Sequence, residues 1–167
     1  TVYVVFDVEE SGAGTKGALA TLEDLLQVGI NAKMIRLPCP AEVEKVDVNS
    51  FFLRHSQSEF AQLKPEAESL AEYRLSEVPP DMPKHELLKA LRQVFEAMAF
   101  MDQAESTLFL RHTVLGACGL KFQDQKLVRE EYEKVKQEVQ GARRTGEDRE
   151  RQREEERKAK QEEEQAR

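Results

Sequence analysis

The order of apolar and polar positions changes period twice in the first forty residues. Val2 to Phe6 is an unbroken β-branched and aromatic run, which predicts a buried strand. From Ala13 to Val28 the apolar residues Ala18, Leu22, Leu25, Leu26 and Val28 recur at helical spacing. Ile30 to Leu37 returns to alternation, with Ile30, Ala32 and Met34 set against Asn31 and Lys33. The punctuation agrees, because Gly29 falls where a helix ends in the left-handed conformation and Pro38 stops the second strand. The result is a β-α-β unit. A right-handed crossover makes its strands parallel and brings their C-terminal ends to one edge.

The pattern then becomes helical. Val78-Pro79-Pro80-Asp81-Met82-Pro83 breaks any helix, and beyond it Leu87, Leu88, Leu91, Val94, Phe95, Met98 and Met101 make a broad apolar stripe, the mark of a core helix. A second helix is expected from Ala104 to Ala117, closed by Gly119. A third, started by Asp124, carries Leu127, Val128, Tyr132, Val135 and Val139. From Gly141 to Arg167 alanine is the only apolar type, so no face can be buried. The spacing still offers Arg151/Glu155, Glu154/Lys158 and Glu156/Lys160 as i,i+4 pairs for a solvated helix. The expected organisation is an α/β unit over 1–66, a linker over 67–83, a three-helix subdomain over 84–140 and a charged linker or solvated helix over 141–167.

Composition narrows the class. With 167 residues and 40% hydrophobic content the chain suits one domain of ordinary size. No apolar run approaches the ~18 residues of a membrane span, so no membrane partner is expected. The net charge of -7 argues against a uniformly cationic nucleic-acid wrapper. Acidic and basic residues balance in the tail, nine against nine, so the whole excess lies in residues 1–140. Cys39 and Cys118 are far apart and lack the neighbours of a redox pair or metal site, which points to free thiols in a reducing compartment. His55, His85 and His112 lack ligand spacing. Thr1 to Phe6 has neither an initiator Met nor a basic n-region, and reads as a strand of a fragment entered without a signal peptide.

The candidate chemistry lies at the strand ends. Asp7 follows the first strand, Glu9 and Glu10 lie in the next loop, and Asp47 lies in the loop after the second strand, so all emerge on one side. Carboxylates gathered there without a His, Cys or Ser nucleophile suit a hard divalent cation that keeps positions open for phosphate and water. An equally available reading is structural: Asp7 caps its turn, Glu9 and Glu10 are solvated, and Asp47 is the N-cap of a helix over Val48 to Leu53. Ser11-Gly12-Ala13-Gly14 could cradle a phosphate, but it matches neither the dinucleotide nor the P-loop pattern.

Four strings in series carry a resemblance: Phe6-Asp7-Val8-Glu9, then Ala13-Gly14-Thr15-Lys16-Gly17-Ala18 opening a helix, then Leu37-Pro38, then Asp47-Val48-Asn49-Ser50-Phe51. Over residues 1–66 the chain resembles the second half of the TOPRIM domain of bacterial DnaG-type primases. Ala99-Phe100-Met101-Asp102 and Leu115-Gly116-Ala117-Cys118-Gly119-Leu120 resemble the helical segment that follows it. The departures are specific. Glu9 stands where the family has its second metal-binding aspartate, with Glu10 as a competing candidate; Val48 replaces a proline; and the Cys39 to Val46 loop is longer.

The resemblance implies a parallel, Rossmann-like TOPRIM sheet fragment in a DNA primase that makes short RNA primers during replication. It implies magnesium or manganese held by Asp7, Glu9 and Asp47, with single-stranded DNA template and ribonucleoside triphosphates as partners. A replicative helicase would be met through a region outside this chain. A cytoplasmic, nucleoid-associated location follows from the same reading. In the family a catalytic glutamate, a zinc-binding domain and a basic ridge precede the position of Asp7, so an incomplete enzyme is expected here. A TOPRIM nuclease or topoisomerase, or a non-catalytic replication assembly module, are the alternatives.

Overall fold

A computed structural model describes residues 1–9, 11–40, 43–79, 82–120 and 122–165; at 84, 122, 123, 149, 150, 154, 156 and 158–165 it describes the backbone alone. The fold is mixed α/β and mostly helical. Strand β1 (Val2–Val5) leads through β2 (Val8–Glu9) into helix α1 (Ala13–Gln27), and then come β3 (Ala32–Ile35) and β4 (Lys45–Val46). Strands β1 and β3 pair in parallel from Val2 opposite Ala32 to Val5 opposite Ile35, as the β-α-β pattern predicts. Helix α1 ends as expected: Gly29 takes φ 78°, its N–H donates to the Leu26 carbonyl, and the Ile30 N–H donates to Leu25. On the outer side of β3, Met34 exchanges backbone hydrogen bonds with Glu68 in a single antiparallel bridge.

Short helices α2 (Val48–Phe52) and α3 (Gln57–Gln62) follow β4, and a 3-10 turn spans Lys64–Glu66. Each short helix starts with a reciprocal cap, Asp47 with Ser50 and Ser56 with Glu59, which satisfies end groups that so few turns leave exposed. The expected linker over 67–83 contains a third such element. Helix α4 (Leu70–Ser76) is capped by Ser69 with Glu72 and buries Leu70, Ala71 and Leu75. Pro80 and Asp81 of the expected helix-breaking stretch lie outside the described residues.

Helix α5 (Lys84–Met98) carries the predicted stripe, with Leu91, Val94, Phe95 and Met98 shut off from solvent. Next come α6 (Gln103–Phe109), a π turn (Leu110–Val114) and α7 (Leu115–Ala117), together covering the predicted second helix, with Gly119 at φ 56° just beyond. Helix α8 runs unbroken over Phe122–Gln165 and starts before the expected Asp124. Val128, Tyr132 and Val135 are buried against α5, where the Phe95 and Tyr132 rings meet edge to face at 5.7 Å. Leu127, expected on the buried stripe, is 56% exposed. The helix continues through residues 140 and 141, where an organisational boundary was expected.

One apolar cluster joins the two regions. Val4, Ala18, Leu22, Ala32 and Met34 of the β-α-β unit pack in the same core as Leu70, Leu91, Phe95, Val114 and Tyr132. Arg74 of α4 fastens the join, bonding the Glu23 carboxylate of α1 and the Gln93 carbonyl of α5. A second, smaller cluster of Leu37, Val46 and Phe51 supports the edge that carries the acidic residues, with Val5, Val8, Phe60 and Leu63 around it.

Candidate functional site

Backbone pairing fixes the acidic edge. Strand β2 pairs antiparallel with β4, placing Val8 opposite Val46 and Glu9 opposite Lys45. Val46 is buried in the small cluster beneath, so this two-rung ladder is tied to the core through its apolar rung. Glu9 is therefore a strand residue rather than a loop residue as the sequence suggested. Asp7 sits at the bend between β1 and β2, and Asp47 directly follows β4. Glu10, the competing candidate, lies outside the described residues.

Helix α1 presses on the same bend. A Cβ at Gly14 would lie 1.8 Å from the Asp7 carbonyl oxygen, so only glycine permits this approach. Gly12, at φ 69°, turns the chain into the helix, and the Ser11 hydroxyl accepts from the Ala13 N–H at 3.2 Å. The Ser11 to Gly14 stretch thus serves helix entry, and its second glycine, Gly14, serves contact with the strand end.

The charged group that organises the edge is one that spacing did not single out. Lys45 Nζ lies 2.7 Å from Asp7 Oδ2, both side chains being partly exposed. The hydrogen bond from Lys45 to Asp7 and the Asp7 charge hold the lysine above its ordinary pKa, with Glu9 and Asp47 adding to the same effect. Asp47 does cap α2: its Oδ1 accepts from the Ser50 N–H at 2.7 Å while its own N–H donates to Ser50 Oγ at 2.9 Å. The bond from the Ser50 backbone, followed by that from the Ser50 side chain, holds Asp47 below the usual carboxylate range.

The structural reading thus applies to Asp47, which caps α2, while Asp7 pairs with Lys45 and Glu9 faces Lys45 across the ladder. The donor set, carboxylate oxygens alone, has the chemistry for magnesium or manganese. Its arrangement differs from a ready-made centre: among the described residues no three His, Cys, Asp or Glu side chains group closely enough to hold a metal ion. Lys45 was legible only as a lone base in the acidic string Glu44-Lys45-Val46-Asp47, because its position opposite Glu9 depends on a register that two-residue strands do not advertise.

Beside the edge, Lys45, Ser50, Phe51, Arg54 and His55 border a pit of ≈ 60 Å³. His55 stacks on Phe51 with ring centroids 4.5 Å apart and meets Glu59 at 3.3 Å. A larger cleft of ≈ 200 Å³ opens at the opposite end of β3, lined by Gly29, Asn31, Ser69, Phe100 and Asp102 among others. Of its two acids, Asp102 is already used, since its Oδ1 accepts from the Glu105 N–H. Among the described residues no helix is long and apolar enough to cross a membrane. No protein-family model, no curated protein and no solved structure matches this chain.

Proposed function

We propose that the chain forms part of a DNA primase, an enzyme that joins ribonucleotides into short primers on single-stranded DNA, and that its acidic edge is the metal-dependent nucleotidyl-transfer site. The observation that supports this reading is the placement of Asp7 just beyond β1, Glu9 in β2 and Asp47 just beyond β4, with β2 and β4 paired so that Lys45 faces Glu9 and reaches Asp7. Divalent magnesium, when bound, supplies neutralisation of phosphate charge. The chain's own contribution is positional. The β2 and β4 ladder fixes Glu9, the packing of Gly14 fixes the Asp7 backbone, and the cap of α2 fixes Asp47. Template strand, nucleotides and a helicase partner belong to the same proposal, as does a cytoplasmic setting.

The ion pair between Lys45 and Asp7 favours a second reading, a replication assembly module whose edge is neutralised without metal. A nuclease or topoisomerase using a tyrosine has less support: Tyr132 is buried in the core, Tyr73 lies beneath the Arg36 guanidinium and Tyr3 beneath the Lys64 ammonium. The test compares labelled-ribonucleotide incorporation with strand cleavage, on single-stranded DNA with magnesium, by the natural gene product and its Asp7→Asn variant. Incorporation lost in the variant supports the primase. Cleavage favours the nuclease, and neither activity favours the module.

A further inference from the structure

We propose that the aromatic surface formed by α2 and α3 binds single-stranded nucleic acid, its rings stacking on unpaired bases while Arg54 and Lys64 meet the phosphates. The inference needs no metal at the acidic edge, and it rests on the primase reading only in taking the strand to be the template. Two observations carry it. The first is a fixed apolar surface left open. Phe52 is 43% exposed and Leu53 86% exposed, yet the Phe52 ring is held by Phe51, edge to face at 5.4 Å, and by Phe60, tilted at 5.3 Å. A ring already fixed by two others loses little freedom when a base covers it. The second is charge. Lys33, Arg36 and Lys45 are each paired with a carboxylate, whereas Arg54 and Lys64 have no acidic partner among the described residues. Arg54 borders the pit beside Phe51, and the Lys64 ammonium lies 5.6 Å from the centre of the Tyr3 ring.

These groups share one side of the molecule. Side chains two apart on a strand point the same way, so Tyr3 shares the face of Val5, which packs with Phe60 and Leu63 in the small cluster. Between residues 48 and 64 the one acid is Glu59, and it is occupied by the Ser56 N–H at 2.7 Å and by His55 at 3.3 Å. This stretch is therefore net positive in a chain whose net charge is -7. Exposed rings beside unpaired cations suit a partner with flat apolar bases on an anionic backbone. Stacking requires unpaired bases, so a single strand fits and a duplex does not. A second copy of the chain fits less well, because a two-fold contact would set the same cations against each other.

The experiment is fluorescence anisotropy of a labelled DNA single strand of about ten nucleotides, with the intact chain and a metal chelator, over a range of salt. Wild type is compared with Phe52→Leu and with the double variant Arg54→Gln/Lys64→Gln, each first shown by circular dichroism to be folded. Phe52→Leu should bind about tenfold more weakly, the loss expected for one stacked base. The double variant should lose about 1.4 from the slope of log affinity against log salt, at about 0.7 for each phosphate contact on a single strand. A duplex of the same sequence should bind less tightly than the strand. If Phe52→Leu does not fold, the salt slope of the double variant decides. Absence of binding by wild type, or binding that both variants leave unchanged, would overturn this surface without touching the ribonucleotide-incorporation test of the primase. A wild-type dimer in sedimentation that Leu53→Ser dissociates, with no strand bound, would overturn it in favour of a second copy. Strand binding lost as expected, with no ribonucleotide incorporated, would support this surface and count against the primase alone.

Discussion

A methyl group on Gly14 would stand 1.8 Å from the carbonyl oxygen of Asp7, which makes the first turn of α1 and the end of the first strand a single fitted contact. The atom in the way is backbone, so it cannot swing aside like the end of a long side chain. Gly14→Ala must move the helix or the bend that carries Asp7.

The expected cost of Gly14→Ala is about 3 kcal/mol, the upper part of the range for overpacking. Gly116→Ala is the control, because nothing lies within 4 Å of a Cβ there and alanine favours the helix. Urea unfolding of both variants checks the contrast. Equal stability of the two would contradict the close approach.

Acid should loosen the start of α3 late. Hydrogen bonds from the Ser56 backbone and then its hydroxyl hold Glu59 down to about 2, against an ordinary 4.5. A depressed value means that the cap adds stability above pH 4.5 and loses it as pH falls from there to about 2. Carbon-detected NMR should find the Glu59 carboxyl titrating near the lower value, with amide protection at Glu59 lost in step. A midpoint near 4.5 would show that the cap is not formed in solution.

Tyr132 is 2% exposed, and among the described residues its hydroxyl has no hydrogen-bond partner. Burial of the hydroxyl raises its pKa, and the Ser106 hydroxyl donates elsewhere, to the Gln103 carbonyl at 3.3 Å. Removing an unsatisfied buried hydroxyl while keeping the ring should cost nothing and can gain about 1 kcal/mol. Chemical denaturation of Tyr132→Phe tests this, and a loss of more than about 1 kcal/mol would show that the hydroxyl is bonded in solution.

Truncation after Gln140 removes the helical stretch over 141–165, roughly 38 Å at 1.5 Å per residue. Residues 141 to 148 are exposed throughout, with Arg143 paired to Glu147 at 2.9 Å. The expected change in stability is below about 0.5 kcal/mol, as for surface changes. Gly141→Ala should instead raise the helix content of the intact chain, since nothing lies within 4 Å of a Cβ there. Circular dichroism reads both, and a large fall in melting temperature on truncation would show that the stretch docks on the core.

Much of the scaffold is legible in the sequence, because long periodic elements leave long signals. The parallel β1 and β3 pair, the end of α1 at Gly29 and the α5 stripe all follow from period and punctuation. Asp47 is legible as an N-cap for the same reason, since its partner is only three residues away. Helix α4 is harder, being short, although Ser69 and Glu72 spell a capping box ahead of Leu70 and Ala71. Leu127 misleads because a stripe read from spacing is broader than the strip that α5 covers. The site itself depends on what period cannot encode. Which residue faces Glu9 is a matter of register between strands far apart in sequence, and that register delivers Lys45 to Asp7. The tail's Glu154/Lys158 and Glu156/Lys160 pairs fall on side chains outside the described ones.

If Asp7, Glu9 and Asp47 form a cation-binding edge, a paramagnetic ion should go there first. Substoichiometric manganese added to the isotope-labelled chain should broaden the amide signals of residues 7–9 and 45–47 first. The signals of Asn31, Ser69 and Asp102, at the opposite end of β3, should stay sharp, and Asp7→Asn should abolish the selective loss. Broadening that is uniform, that begins at the opposite cleft, or that survives Asp7→Asn unchanged would show that these carboxylates do not hold the ion.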